Sequence, residues 1–263
     1  MELTFYKYQG TGNDFVMIDN RNGSLDVSNL ALVRRLCDRK FGIGSDGLIA
    51  IQNHPDYEFE MVYFNADGSQ SMCGNGARCA VAFSAFLQIF KEKTRFLAID
   101  GPHEATLVAD QVELLMADVK SIERRSGDFF LNTGSPHHIR FVEKTEGYPV
   151  FEEGKSIRHD PQYAPGGTNV NFVQRLAKDH VFVRTYERGV EDETLSCGTG
   201  VTAAALVYGA QHNQNNVKIN TLGGELSVRF HLNPDGSFSE IWLIGPAVQV
   251  FSGKIKIDTT DRG

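Results

Sequence analysis

Two stretches of this chain carry residue types that could do chemistry: Met72-Cys73-Gly74-Asn75-Gly76-Ala77-Arg78 and Ser196-Cys197-Gly198-Thr199-Gly200-Val201-Thr202. Each is a cysteine, then Gly-x-Gly, then an apolar run, residues 80–90 in the first copy and 203–210 in the second. Gly and Asn ahead of such a run read as a helix start, and apolarity on every side predicts that the helix is buried. A cysteine there meets the open N–H groups and positive dipole end of the helix, which favour a thiolate and offer a berth for a carboxylate. Two such cysteines could face one small acid. One thiolate would remove the proton from its α-carbon while the other thiol delivers a proton to the opposite face, inverting the centre. Acid and base exchange roles in the reverse reaction, so two similar thiols suit the task. Preorganised donors in a dry site would stabilise the carbanion, and no metal or pyridoxal cofactor is required.

The elements that must position these thiols also come in two copies. The cysteines lie 124 residues apart, from 73 to 197, close to half of the 263-residue chain. Gly12-Asn13 is echoed by Gly134-Ser135 after 122 residues, and Asp46 beside Gly44 by Asn169 beside Gly167 after 123. A duplicated domain with one thiol per copy explains the echo. In the first copy, residues 4–8 and 15–19 read as strands interrupted by Gly10-Thr11-Gly12-Asn13-Asp14. Ser28 is the expected N-cap of a helix over 30–39, with Leu32, Leu36 and Phe41 on its inner side. Strands are predicted at 48–52, 58–64, 96–99, 105–109 and 112–116, with turns at Gly101-Pro102 and Asp110-Gln111. The Gly-rich turn at 41–47 lacks the Lys-Ser/Thr and the strand-before, helix-after setting of a phosphate loop. In the second copy, Leu131 to His138 interrupts a strand that continues over 139–143, and strands follow at 180–186, 217–221, 225–231 and 240–244. The last segment, 248–257, is expected to return to the first domain, and 123–127 and 148–161 read as polar links. The pattern predicts an α+β protein of two pseudo-symmetric domains. Each is a curled, barrel-like, mainly antiparallel β-sheet around one central α-helix. The expected domains are residues 1–117, completed by the strand at 252–263, and residues 118–251.

Composition narrows the function classes. Hydrophobic residues make up 41% of the chain, enough for two full cores, and a net charge of −7 with scattered basic residues argues against nucleic acid or anionic membranes as partners. No apolar stretch approaches the roughly 20 residues needed to span a bilayer, and the first ten carry no signal-like run, so a soluble cytoplasmic protein is expected. Four cysteines without C-x-x-C spacing fit neither a disulfide framework nor a zinc site.

Gly12-Asn13-Asp14-Phe15, Phe64-Asn65-Ala66-Asp67-Gly68-Ser69, the two cysteine motifs with Cys79, and Tyr186-Glu187-Arg188-Gly189 together resemble the diaminopimelate epimerase family. The resemblance runs from near Tyr6 to Gly253. It implies a cofactor-independent isomerase that interconverts LL- and meso-diaminopimelate, a precursor of lysine and peptidoglycan. By resemblance, Cys73 and Cys197 are the acid-base thiols, with His137 and Glu187 beside them. Asn13, Asn65, Asn169, Glu187 and Arg188 would hold the substrate, and Gly74-Asn75 with Gly198-Thr199 would cradle the reacting carboxylate. The implied partner is a small amino acid, with a homodimer left open; His138, Cys37 and Cys79 receive no role. Two positions depart from the family pattern: Ser135 where Asn is frequent, and Gly47 where some members have Gln. The shorter Ser135 weakens the expected grip on the far end of the substrate. The alternatives are a proline or hydroxyproline racemase, whose first motif typically has His where this chain has Asn75, and a thiol redox protein.

Overall fold

Alternating apolar residues make this a strand-rich chain, and the Gly-x-Gly motifs interrupt the strands with two core helices. The structure is a computed structural model that describes residues 2–257. It divides after Leu114 and again after Gly245 into two units, the last strand belonging with the first. The first unit contains β1 (Glu2–Gly10), β2 (Asn13–Asp19), α1 (Leu30–Cys37), β3 (Gly47–Gln52), β4 (Phe59–Asn65), α2 (Gly74–Phe86), β5 (Lys93–Ala98), β6 (Gly101–Val108) and β7 (Gln111–Leu115). The second contains β8 (Glu123–Arg125), β9 (Asp128–Asn132), β10 (Pro136–Phe141), α3 (Val150–Arg158), β11 (Asn169–Ala177), β12 (His180–Glu187), β13 (Asp192–Thr194), α4 (Gly198–His212), β14 (Asn216–Thr221), β15 (Gly224–Leu232) and β16 (Phe238–Pro246). The closing strand β17 (Val248–Lys256) pairs antiparallel with β1, Phe5 opposite Gly253. Residues 258–263 of the predicted closing segment lie outside the described residues.

The two units repeat one another, except that β13 has no counterpart in the first. In the first, β1 and β2 form a hairpin, β2 runs parallel to β3, β3 antiparallel to β4, and β4 parallel to β5. In the second, β9 and β10 form the hairpin, β10 runs parallel to β11, β11 antiparallel to β12, and β12 parallel to β14. Parallel neighbours need a crossover, and each crossover carries a helix. The second crossover of each unit is the apolar helix, α2 or α4, held on one face of its sheet. Val201, Leu206 and Val207 of α4 are fully buried among Val173, Val181, Val183, Val217, Val228 and Leu243. Each such side chain contributes roughly 1.5–3 kcal/mol on burial. Asn213, in the left-handed conformation, ends α4. Phe83 of α2 lies against the rings of Tyr6 and Tyr8 in β1, centroids 5.0 and 5.6 Å apart. Among the described residues no helix is long and apolar enough to cross a membrane.

Several local expectations are corrected. The N-cap of α1 is Asn29, whose side chain accepts from Leu32 N at 3.0 Å; Ser28 Oγ instead donates to Asp26 at 2.6 Å. That helix stops at Cys37, because the Asp38 carboxylate accepts from the amides of Lys40 and Phe41 and turns the chain away. Phe41 is therefore 81% exposed rather than inward. The turn expected at Gly101-Pro102 falls at residues 99–100, with Ala98 opposite Gly101 and Leu97 opposite Pro102. Of the expected links, 148–161 contains α3 and 123–127 contains β8, so among the described residues each half has two α-helices rather than one, the second with a short 3-10 turn at Pro161–Tyr163 besides. The extra helices, α1 and α3, pack with small clusters of their own, Leu32, Val33 and Leu36 with Val16 and Leu48, and Val150 and Ile157 with Val170 and Phe172.

Candidate active-site halves

In the first unit Cys73 is the N-cap of α2. Its extended backbone (φ −134°, ψ 116°) aims the sulfur back over the helix start, where it accepts from Gly76 N at 3.4 Å. The β1–β2 turn brings Asn13 to the same place. Cys73 Sγ donates to Asn13 Oδ1 at 3.5 Å, and Asn75 Nδ2 donates to the same oxygen at 3.5 Å. Asn13 Nδ2 donates to Asp46 Oδ2 at 2.7 Å. Asp46 is held in turn by Arg39, which also pairs with Asp14, and Asp14 pairs with the buried Lys7. Burial opposes the charge on Asp14, but its bonds to Arg39 and Lys7 win and hold its carboxyl well below the usual range. Asn65, the last residue of β4, donates to Ser69 Oγ and Ser71 Oγ at 3.0 and 3.2 Å, and so lies over the segment leading into Cys73. Its own Oδ1 accepts from Tyr63 OH at 2.7 Å.

Gly47 explains itself here. A Cβ at that position would stand 2.5 Å from both Phe64 O and Tyr63 Cε2, so the Tyr63 ring fills the space that a longer residue at 47 would need.

In the second unit Cys197 is the N-cap of α4, 8% exposed, and reaches Thr199 Oγ1 at 3.5 Å. His137 belongs to strand β10 rather than to the preceding turn, and is fully buried. Its Nε2 lies 2.9 Å from Thr199 Oγ1, so it meets the sulfur through that hydroxyl. Burial, with a smaller push from the Arg188 charge, takes its pKa down to about 3 and keeps the ring neutral. The Asn169 side chain donates to Ser135 Oγ and Pro136 O, both at 2.9 Å, and accepts from Arg188 N at 2.9 Å. Arg188 Nη2 donates to the same Ser135 Oγ at 3.4 Å. Ser135 thus joins Asn169 to Arg188 instead of leaving a gap. Glu187 accepts from Thr194 Oγ1 at 2.8 Å, and burial pushes its carboxyl up, toward the neutral form.

In the first half Asn13, Asn75 and Cys73 meet at the start of α2, with Asn65 on the segment leading into it; in the second, His137 and Cys197 meet Thr199 at the start of α4, while Asn169 and Arg188 share Ser135 and Glu187 meets Thr194. A helix leaves its first N–H groups without intrahelical acceptors, which suits both starts to a carboxylate. All four cysteines are thiols rather than disulfides. His138, bonded to Tyr163 and Asp128, and the buried Cys37 and Cys79 sit in structural positions. Sequence reasoning passed over Asn171, which donates to His137 Nδ1 at 3.1 Å. Its signal was the period of two with Asn169 along one strand, which puts both amides on one face. It also passed over Tyr63 and Arg78, whose apolar neighbours in the sequence hid them.

The diaminopimelate epimerase family model matches residues 5–122 and 129–250. A diaminopimelate epimerase of Flavobacterium psychrophilum is 50% identical over 257 residues, covering 96% of this chain and 100% of the relative. One of Chlorobaculum tepidum is 41% identical over 260 residues, covering 94% and 99%. Among solved structures, a PhzF-family phenazine biosynthesis protein of Bacillus anthracis superposes with a TM-score of 0.78 at 12% identity, covering 98% of this chain and all of that one. A probable proline racemase of Agrobacterium radiobacter superposes at 0.67 with 13% identity, covering 99% and 94%. These two share the fold. Both cysteine motifs fall inside the matched segments, and with half of all residues identical along the full length of a relative, the chain belongs to the diaminopimelate epimerase family.

Proposed function

We propose that this chain interconverts LL- and meso-diaminopimelate, using Cys73 and Cys197 as the acid and base and calling on no cofactor. The observation that carries the reading is a thiol capping the start of a Gly-x-Gly helix in each half of a chain that belongs to this family. One thiolate takes the proton from the α-carbon, the electron pair stays on that carbon, and the other thiol returns a proton from the opposite side. The carbanion is stabilised where its carboxylate meets helix-start N–H groups at Gly74-Asn75 and Gly198-Thr199. A single such donor is worth roughly 10²–10³ in rate in enzymes that stabilise oxyanions. His137 and Thr199 orient the sulfur of Cys197. Arg188, steadied by Ser135 and Asn169, takes the distal carboxylate, while Asn13, Asn65 and the carboxyl of Glu187 complete the grip.

The same reading places the protein in the cytoplasm with a small amino acid as its partner. A homodimer is the proposed assembly, supported by Val248, Val250 and Phe251, which are 47–57% exposed along β17. Sedimentation at micromolar concentration tests it, and a monomer there removes it. Function is tested with a panel of LL-diaminopimelate, meso-diaminopimelate and proline. Turnover of the first two alone supports the proposal; turnover of proline would make this a racemase.

A further inference from the structure

The segment 148–161, which reads from sequence as a polar link, supplies a side chain that reaches toward Arg188. Arg158 is the last residue of α3, and its side chain is only 15% exposed. Its Nε and Nη2 both donate to Glu191 Oε1, at 3.1 and 3.0 Å, and its Nη1 donates to Gly166 O at 3.3 Å. Every nitrogen of the guanidinium is thus committed, and both acceptors belong to the surroundings of Arg188. Gly166 O also accepts from Arg188 Nη1, at 3.5 Å. Glu191 closes the turn that carries Arg188: its amide donates to Glu187 O at 2.8 Å, and its Oε1 accepts from Gly189 N at 3.0 Å. Glu191 does so with a φ of 59°, a region that a non-glycine residue keeps only where its surroundings hold it.

The backbone makes room for Arg158. A Cβ at Gly167 would stand 1.5 Å from Arg158 Nη1, and the φ of +66° there is itself one that side chains rarely adopt. The charges are also arranged unequally. Two guanidiniums on one carbonyl repel each other, and the Glu191 carboxylate offsets the charge of Arg158. The Gly189 amide first, and then Arg158, hold that carboxyl below its usual range, so it is ionised at neutral pH. Its other oxygen accepts from Tyr186 OH at 3.4 Å and lies 3.7 Å from the exposed His159 ring. Arg188 meets neutral acceptors alone among the described residues: Ser135 Oγ and Gly166 O for the guanidinium, and Asn169 Oδ1 for its amide. Its charge is left for a ligand.

We infer that Arg158 is a positioning residue that fixes where the Arg188 guanidinium stands, and through it the selection of a substrate that carries a second carboxylate. It works through two arms, Glu191 in the turn after Arg188 and Gly166 in the loop before β11. The inference rests on the reading above in which Arg188 takes the distal carboxylate. A guanidinium and a carboxylate bind through two parallel N–H···O bonds, so an Arg188 free to swing keeps its charge but loses the match. The loss falls on binding. An interaction equally strong in the ground and transition states raises KM when removed and leaves kcat alone.

The test uses Arg158→Met, Glu191→Gln, Arg188→Lys and the double variant of Arg158→Met with Arg188→Lys. Each is followed by initial rates on LL-diaminopimelate and, without substrate, by backbone hydrogen–deuterium exchange. Arg158→Met should raise KM about tenfold with kcat changed by less than about twofold, and Glu191→Gln should move KM in the same direction. The double variant should also stay near about tenfold, because both substitutions act on one contact, whereas independent effects would multiply to about a hundredfold. Exchange in Arg158→Met should quicken over 187–191 and 164–168 and stay unchanged elsewhere, which separates release of the turn from a failure to fold. A fall in kcat at constant KM, multiplying effects, or unchanged exchange over 187–191 overturns the inference. The two readings separate on the same samples. Quickened exchange in a protein that turns over proline and not diaminopimelate removes the function and leaves the frame around Arg188; diaminopimelate turnover with unchanged exchange removes the frame alone.

Discussion

His137 makes the stability of this protein depend on pH in a calculable way. The ring is fully buried in β10, and its pKa is held at about 3 instead of the usual 6.5. A histidine depressed in the folded state adds stability that is complete above the unfolded value and is lost as pH falls toward the folded one, because the unfolded chain takes up the proton first. One pH unit corresponds to about 1.4 kcal/mol, so about 2 kcal/mol disappears between pH 7.5 and 5, and about 4 kcal/mol by pH 3. His137→Gln keeps a donor for Thr199 and removes the titration. The assay is urea unfolding of both proteins at pH 7.5 and 5.0. His138 and every carboxylate titrate in both, so their contributions cancel. Whatever the substitution costs at pH 7.5, the stability gap between the two proteins should shrink by about 2 kcal/mol at pH 5. A gap that stayed constant across this range would refute a neutral, buried His137.

Arg188→Lys keeps the charge but loses the guanidinium fork, so KM for diaminopimelate should rise about tenfold with kcat little changed; unchanged kinetics would take Arg188 out of the site. Tyr63→Phe removes the hydroxyl that donates to Asn65 at 2.7 Å, and should cost about 1 kcal/mol in stability and raise KM, measured by urea melts and initial rates. Gly154→Ala places a Cβ 2.4 Å from Tyr186 Cβ, where α3 packs on β12. Despite the better helix propensity of Ala, it should destabilise the protein by about 1–3 kcal/mol, visible as a lower urea midpoint.

The two helix starts were legible because a Gly-x-Gly followed by an apolar run has few other readings. The duplication was legible for the same reason, and the topology repeats it in all but the short strand β13. Helix α3 was not legible: Val150 and Ile157 are separated by exposed Glu152 and Lys155, half-buried Glu153 and Gly154, and its N-cap Pro149 provides no side-chain bond. Its helical state comes from the fit of Gly154 against Tyr186, a tertiary contact that local propensity cannot report. Phe41 misled because an aromatic near the end of a helical pattern reads as inward, whereas Asp38 had already turned the chain. Within the site, residue identities could be read but directions could not. Ser135 looked like a lost contact and is a shared acceptor for Asn169 and Arg188. Asp46 accepts from Asn13, Arg78 donates to Asn75 and Asn171 donates to His137, contacts that appear only once donors and acceptors are placed in space.

The central claim is that each of two thiols serves the same α-carbon from its own side. It is tested most directly by running the reaction in deuterated water with the unaltered protein, Cys73→Ala and Cys197→Ala, and following α-deuterium in LL- and meso-diaminopimelate by mass spectrometry and by the stereochemistry of the product. The account predicts deuterium in the inverted product of the unaltered protein and no inversion in either single variant. Near-normal inversion by one of the variants would contradict it.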